Sequence, residues 1–384
     1  MTAEITVSAQ PDQSADFGPT TPGTRSSGLK EALDSLAGKG GKVRLRPGLF
    51  VTDVPLCLPM HVTLEGAGYE KTNDRFSAIE ASAQFPSGVG LLSGPPATSG
   101  SHSRAIHVRD LSLLRVARAD GPVIDFTNVD HSTIERVETQ GGTVGILLGW
   151  NGPPNPDGAD APGEVRGQTI RVVNASSDGI FWKYRTQELW DRVEILGRRV
   201  PPQNALHFFG SNKVQVSVAQ LTQYTRAGVL FESDGSPPNI GCVVTNLFAN
   251  TRNGGTDIVE QGPSRACGVF GGAALSPSPF QTRGGLWIRN VRGVNDLGMI
   301  PTMTPPLPAI GAPVQNRLPF PVEVYAAGGS VERVEVLDNA AKVAPTLILG
   351  RPAPLQGHIA TVNPGESVRV IGSAPPTWWA WRAT

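Results

Sequence analysis

Carboxylates set beside arginines recur along the chain at spacings that suit paired acid–base chemistry. Glu135, Glu138, Asp191 and Glu194 all fall at outward positions of repeated apolar segments. Two carboxyl groups about 5–9.5 Å apart can act as acid and base, or acid and nucleophile, in glycoside hydrolysis. Neighbouring strands lie about 4.8 Å apart, so Glu135 and Asp191 come into range if one coil separates them. The competing reading is a charged face that is simply solvated. Asp191 and Glu194, next to Arg192, Arg198 and Arg199, are also the nearest approach to a calcium cluster. Such a site needs several oxygens converging at about 2.3–2.6 Å, which this stretch does not supply, so no metal and no other cofactor is expected. Asp178 and Asp234 each sit in a Ser-Asp-Gly phrase. That phrase suits a turn, where Asp bonds its own backbone and Gly accepts positive φ; Asp178 remains a candidate acid beside that reading. The six histidines show no metal-ligand spacing. His131 follows Asp130, but adjacent strand residues point to opposite faces, so adjacency alone makes no dyad.

Aromatic residues form a second set of candidates. Trp182 and Tyr184 lie two apart after Ile180, and Trp150 opens a Pro-rich insertion. Exposed rings of this kind stack on sugar faces; the alternative is that they pack beneath a loop. Trp190 takes an inward position and reads as core. Trp378, Trp379 and Trp381 are too many for a short tail to bury alone. They point to a subunit interface, or else to a terminal binding surface.

These residues are carried by a phrase that keeps returning: apolar, polar, polar, apolar. Its copies are Val108-Arg109-Asp110-Leu111, Ile134-Glu135-Arg136-Val137, Ile170-Arg171-Val172-Val173, Trp190-Asp191-Arg192-Val193, Val218-Ala219-Gln220-Leu221, Val244-Thr245-Asn246-Leu247 and Ile288-Arg289-Asn290-Val291. Repeats of roughly 20–50 residues indicate stacked units that cannot bury their apolar faces alone. Within one strand, inward residues alternate with outward ones. Two inward residues separated by two polar ones therefore require a sharp bend at the third position. Most copies lead to a second apolar segment, as in Gly145-Ile146-Leu147, Gly179-Ile180-Phe181, Ala205-Leu206-His207, Gly228-Val229-Leu230 and Asp257-Ile258-Val259. Short strands joined by bends describe an all-β chain folded as a parallel β-helix; an antiparallel sandwich is the alternative.

Composition agrees. Of 384 residues 17% are charged, the formal net charge is zero, and 45 glycines and 34 prolines punctuate the chain. Zero net charge and no basic stripe give no case for nucleic acid. Cys57, Cys242 and Cys267 lie far apart without CxxC spacing, against structural disulfides or zinc. No run approaches about 18 apolar residues, so no membrane insertion is expected, and Met1 to Ile5 shows neither the basic nor the apolar part of a signal peptide.

In chain order, residues 1–24 read as an extended segment, residues 25–300 as the β-helix with its cap, 301–317 as a Pro-rich linker and 318–384 as a small C-terminal β module. A capping helix is expected from Ser27 to Ala37, with Leu29, Ala32, Leu33 and Leu36 on one face. Asp16-Phe17-Gly18, this helix, Gly40-Gly41-Lys42-Val43-Arg44-Leu45-Arg46-Pro47-Gly48 and Leu64-Glu65-Gly66-Ala67-Gly68 together resemble the N-terminal cap of pectate-lyase-like right-handed parallel β-helices. The resemblance implies the fold and leaves the activity open, because that superfamily holds lyases, hydrolases, epimerases and adhesins. Its hydrolase motifs (Asn-Thr-Asp, a Gly-Asp-Asp pair, His-Gly, Arg-Ile-Lys) are absent from this sequence. Insertions at Gly88–Ser103, Asn151–Gly163 and Ser276–Gly285 are expected to wall a groove.

The C-terminal phrases Asn316-Arg317-Leu318-Pro319-Phe320-Pro321-Val322-Glu323-Val324-Tyr325, Asn363-Pro364-Gly365-Glu366-Ser367-Val368 and Ala374-Pro375-Pro376-Thr377-Trp378 resemble the C-terminal module of tail spike and minor tail proteins of tailed bacteriophages, especially those of actinobacterial hosts. The resemblance implies a virion protein made in the host cytoplasm. It also implies a homotrimer, joined to other tail or baseplate proteins, that binds a host cell-surface polysaccharide and in some cases depolymerises it. Against it, fewer than 25 residues precede the cap, where spikes usually carry a larger anchor. A free polysaccharide lyase or glycoside hydrolase is the alternative.

Overall fold

The computed structural model describes residues 3–69, 76–96, 102–117, 119–152, 162–234, 237–276, 279–292, 305–338 and 343–383. Insertion residues 153–161 and linker residues 301–304 fall outside them. Among the described residues, the phrase-bearing strands stack in one thirteen-stranded sheet, whose path includes His107–Arg115, Thr133–Gly141, Arg166–Val173, Leu189–Leu196, Gln215–Thr222, Val243–Asn250, Cys267–Ala274 and Leu286–Arg292. The second apolar segments stack in a nine-stranded sheet, in which Ile146, Ile180, Leu206, Val229 and Ile258 fall in one register. A third side is made of two-residue strands and single bridges through Asp130, Gly163, Thr186, Asn212 and Ile240. All these pairings are parallel, and each strand pairs with its equivalent one coil away. The architecture is the right-handed parallel β-helix that the repeat and the resemblance lead one to expect.

The bends behave as the phrase requires. Asp110, Arg136, Asn246 and Asn290 have φ between 49° and 58°, the left-handed region that turns the chain sharply. Two copies need correction. Register pairs Val137 with Ile170, so the bend of that coil is Thr169 at φ 53°, not Val172. Ala219 pairs with Val193, which places Val216-Ser217-Val218-Ala219 in the repeat and leaves Gln220 within the strand. A further coil, Val269-Phe270-Gly271-Gly272, lies between Val244 and Ile288.

Leu29–Ser35 is helical, and Leu29, Ala32, Leu33 and Leu36 are buried against the first coils. Glu4–Val7, inside the stretch read as an extended segment, adds a parallel strand ahead of Gly41–Leu45. The interior is apolar, with Trp182 stacked on Phe208 at 4.9 Å and Phe208 on Phe231 at 5.1 Å. Among the described residues one ion pair is fully buried, Arg185 and Glu188 lying 2.7 Å apart. Arg185 also donates to the carbonyl of Val129 at 2.6 Å, and Trp190 Nε1 donates to Glu188 at 3.3 Å. Beyond the solenoid the pairing turns antiparallel. Val314–Gln315, Val322–Leu337, Val343–Val362, Ser367–Ala374 and Trp378–Ala383 form one sheet, and its first strand lies in the stretch read as linker.

Candidate polysaccharide-binding face

The outward side of the nine-stranded sheet gathers rings and charges in one place. Inward and outward residues alternate along Asp178–Lys183, Asn204–Phe209 and Ala227–Glu232, so Ile180, Trp182, Leu206, Phe208, Val229 and Phe231 fill the core. Phe181, His207, Phe209 and Glu232 then face out. Phe181 and Phe209 are half-buried. Phe181 stacks on the His207 ring at 4.3 Å, and Tyr184 meets Phe209 edge-on at 5.4 Å. The Lys183 ammonium lies 5.7 Å from the Tyr184 ring centre.

Beneath these rings runs a chain of ionisable groups. His207 Nδ1 is 2.9 Å from Asp178 Oδ1, and Nε2 is 3.0 Å from Glu232 Oε2. The first contact is an aligned hydrogen bond, whereas the second has ion-pair distance without that alignment. Asp178 further accepts from Asn204 Nδ2 at 2.9 Å and Ser177 Oγ at 2.6 Å. Burial alone would raise its pKa, but hydrogen bonds from His207, Ser177 and Asn204 outweigh that and hold it below the usual carboxylate range. Burial likewise works against a charged His207, and its two carboxylate partners still raise its pKa. The His207 ring at ion-pair distance holds Glu232 down. The result is an imidazole whose charged form is favoured by a carboxylate on either side. Asp178 is enclosed, and the Glu232 side chain remains 28% exposed. Glu232 also borders a polar cavity of about 310 Å³ walled by Ser233, Gln261, Gln281, Thr282 and Arg283. Half-exposed rings beside fixed polar groups can stack on sugar faces and hydrogen-bond their hydroxyls.

The structure sorts the sequence candidates. Asp178 and Tyr184 belong to this face. Trp182 does not: it is 0% exposed, because alternation places it with Ile180 on the inward side. Tyr184 escapes that side because its φ of 55° breaks the alternation. Trp150 is buried as well, its ring stacked on His102 at 5.0 Å. One coil, carrying Gln168, lies between Glu135 and Asp191, so their strands are two spacings of about 4.8 Å apart, at the far limit of the range for an acid–base pair. Glu135 is bonded to Arg136, and Glu194 accepts from Arg171 at 2.7 Å, while Asp191 is exposed. Among the described residues no three His, Cys, Asp or Glu side chains converge as metal ligands. His131, set aside on adjacency, does lie 3.4 Å from Asp130, because its φ of 45° swings it back. Trp379 and Trp381 are buried within their own chain, and Trp379 Nε1 donates to the Pro305 carbonyl at 2.9 Å. Only Trp378 of the three is open, at 48%. Phe181, His207, Phe209 and Glu232 were missed. Their signal was present in the second segments, where Phe181 and His207 follow the inward residue at the same position.

The sequence matches no family model and no curated protein. Solved structures are similar in fold. The tailspike gp42 of Acinetobacter phage vb_AbaP_AS12 is 13% identical over 70% of this chain and 51% of that one, with a TM-score of 0.45. The N-terminal fragment of bacteriophage Phi29 gene product 12 is 13% identical over 68% and 59%, with a TM-score of 0.47. The tailspike gp49 of Acinetobacter baumannii bacteriophage Fri1, titled a capsular polysaccharide depolymerase, is 12% identical over 92% and 81%, with a TM-score of 0.38. This chain thus spans about half of the first and three fifths of the second. Likeness at this level leaves the functional argument to the chain's own residues.

Proposed function

We propose that this chain is a tail spike or minor tail protein of a tailed bacteriophage that binds a host cell-surface polysaccharide. The observation that carries the binding reading is the outward set Phe181, Tyr184 and Phe209, held half-exposed around the Asp178–His207–Glu232 chain. A repeating polymer suits a surface whose coils repeat along one axis. Aromatic planes supply stacking area at low entropic cost, and Glu232, Gln261 and Lys183 supply polar contacts to hydroxyl groups. The virion assignment rests on the C-terminal phrases, and with it come a homotrimer and contacts to other tail proteins. Trp378, open at the strand that pairs with Val322–Ala327, is the residue placed at the subunit contact.

The decisive test is retention of the full chain in gels containing purified bacterial surface polysaccharides, with the Phe181→Ala/Phe209→Ala variant alongside. Retention of the native chain that the variant loses is the expected result; equal migration with every polymer rejects the reading. Light scattering on the full chain and on Trp378→Asp tests the trimer. A monomer for the native chain removes it.

One observation favours cleavage as a second reading. Glu232 is a partly open carboxylate kept ionised by His207, with Asp178 across the ring. A free hydrolase or lyase, or a spike that degrades its receptor, would use Glu232 as base or nucleophile. A fall in polymer mass that Glu232→Gln stops while binding persists supports cleavage, and an unchanged polymer argues for binding alone.

A further inference from the structure

The turn after Leu189–Leu196 is rigid and carries two arginines. Asn174 Oδ1 accepts the backbone N–H of Arg199 at 2.8 Å and of Val200 at 3.3 Å. A side chain at Gly197 would meet the Gln223 carbonyl oxygen at 2.1 Å, so the next coil presses directly on this turn. The turn thereby closes a polar cavity of about 290 Å³ lined by Glu138, Gln140, Arg171, Asn174, Arg198 and Arg199.

The charges in this cavity do not balance. Arg171 is engaged by Glu194 at 2.7 Å and Glu138 at 3.5 Å. Arg198 and Arg199 are exposed, and among the described residues neither has a carboxylate within ion-pair distance. The chain as a whole is neutral, and Arg109, Arg136 and Arg171 sit against carboxylates of neighbouring coils, whereas here two arginines without such a partner share one cavity. Two unanswered guanidinium groups at one cavity focus positive potential there. Their forked donors match the geometry of a carboxylate or a phosphate. The chain runs directly from this cavity to the polar end of the aromatic face. Asn174 leads within a few residues to Asp178, and Arg199 leads to Asn204, whose amide donates to Asp178 at 2.9 Å.

We infer that the Arg198–Arg199 cavity binds an oxyanion borne by the polysaccharide, so that the polymer recognised is acidic. The inference rests on the polysaccharide-binding reading of the aromatic face. A uronate carboxylate and a backbone phosphodiester share the required chemistry, and the polymers used in the test tell them apart.

Binding of oligogalacturonate, of the same oligomers carboxyl-reduced to neutral sugars, and of a poly(glycerol phosphate) is measured by calorimetry. The proteins are the native chain, Arg198→Gln/Arg199→Gln and Phe181→Ala/Phe209→Ala. The glutamine variants keep the length and polarity of an exposed turn, and unchanged thermal unfolding confirms the fold. The expected result is a loss of about tenfold in affinity for one acidic polymer in the arginine variant. Added salt produces the same loss in the native chain, and neutral oligomers are unaffected by the substitution. Equal binding of the acidic polymers by native chain and arginine variant overturns the inference while leaving the aromatic face intact, and so does an equal loss for neutral oligomers. If the native chain binds no polymer, the binding reading fails and a second measurement decides the cavity. Galacturonate and inorganic phosphate are titrated while the Nε–H resonances of Arg198 and Arg199 are followed by NMR. Selective shifts keep the oxyanion site, and their absence removes it.

Discussion

On the outward side of the long sheet, Lys42 lies 3.2 Å from Glu65, Arg136 grips Asp110 at 2.6 Å, and Arg171 lies between Glu138 and Glu194. Each of these three cations is answered by a carboxylate of its own or an adjacent coil at the surface, and further along the same sheet Arg289 lies 4.5 Å from the Trp287 ring centre. On the outward side of the shorter sheet the ionisable groups are fewer and deeper. Phe181 stacks on His207, and Asp178 receives three donors. The first arrangement consumes its charges in mutual pairing. The second leaves ring faces and one carboxylate available to a ligand. The face proposed for stacking on sugars is thus distinguished by half-open rings beside an enclosed acid, not by charge density.

The largest effect is expected from the rings. Phe181→Ala/Phe209→Ala should weaken polysaccharide binding roughly 30- to 150-fold, from about 1–1.5 kcal/mol per ring. Arg136→Gln on the long sheet should leave it unchanged. Equal effects of the two in the same titration would erase the distinction between the faces.

Asp178→Asn should cost about 1–3 kcal/mol in urea unfolding, because a nearly buried acceptor loses its charge while its donors stay in place. The same variant should move the His207 titration, read from its ring-proton NMR shift, downward from its raised position. Glu232→Gln should move it in the same direction but less, since that carboxylate is partly open.

Stability against pH should show the same lattice. Asp178 and Glu232 have lowered pKa values, so their contribution is complete above the ordinary carboxylate range of about 4 and is lost as pH falls through the lowered values. His207 has a raised pKa, so its contribution is complete below about 6.5 and is lost as pH rises through the raised value. The enclosed Asp257, pushed up to about 6 by burial, acts with the opposite sign to Asp178 and lowers stability as pH climbs toward that value. The difference between urea midpoints of the native chain and Asp178→Asn cancels Asp257. It should peak between the two limits, and a flat difference would show that the three groups do not titrate as a unit.

The smallest effect belongs to the long sheet. Arg171→Gln should change stability by less than about 1 kcal/mol, and molar salt should abolish even that.

Much of the solenoid could be read from the chain, because an inward residue, a bend and a second inward residue leave a local trace. Asp110, Arg136, Asn246 and Asn290 announce their bends by residue type. The coil at Gly167 could not be read in this way. Its inward position carries no side chain, because the Trp190 ring already occupies the space; a methyl there would lie 2.1 Å from it. The apolar cluster Ile170, Val172 and Val173 then offered a false register. The face proposed for binding was hidden for a related reason. Which outward residues meet depends on coil lengths, and those are fixed only once each coil is docked on its neighbour. Phe181, His207 and Glu232 are distant in sequence, and nothing in any one segment relates them. Trp182 was misplaced because a single bend at Tyr184 parts two residues that alternation would keep together.

Self-similar coils invite an error that most folds avoid: a strand can dock on the coil next to its proper one and still bury apolar side chains. Arg185 penalises that slip. Its guanidinium reaches the carboxylate of Glu188 on its own coil and the carbonyl of Val129 on an earlier one. Displacement by a single coil would carry Glu188 along with Arg185 but part the guanidinium from the Val129 carbonyl, at a cost of about 1.5–3 kcal/mol. The contact with Val129 therefore works as an address, distinguishing one level of a repetitive column from the next while the column assembles.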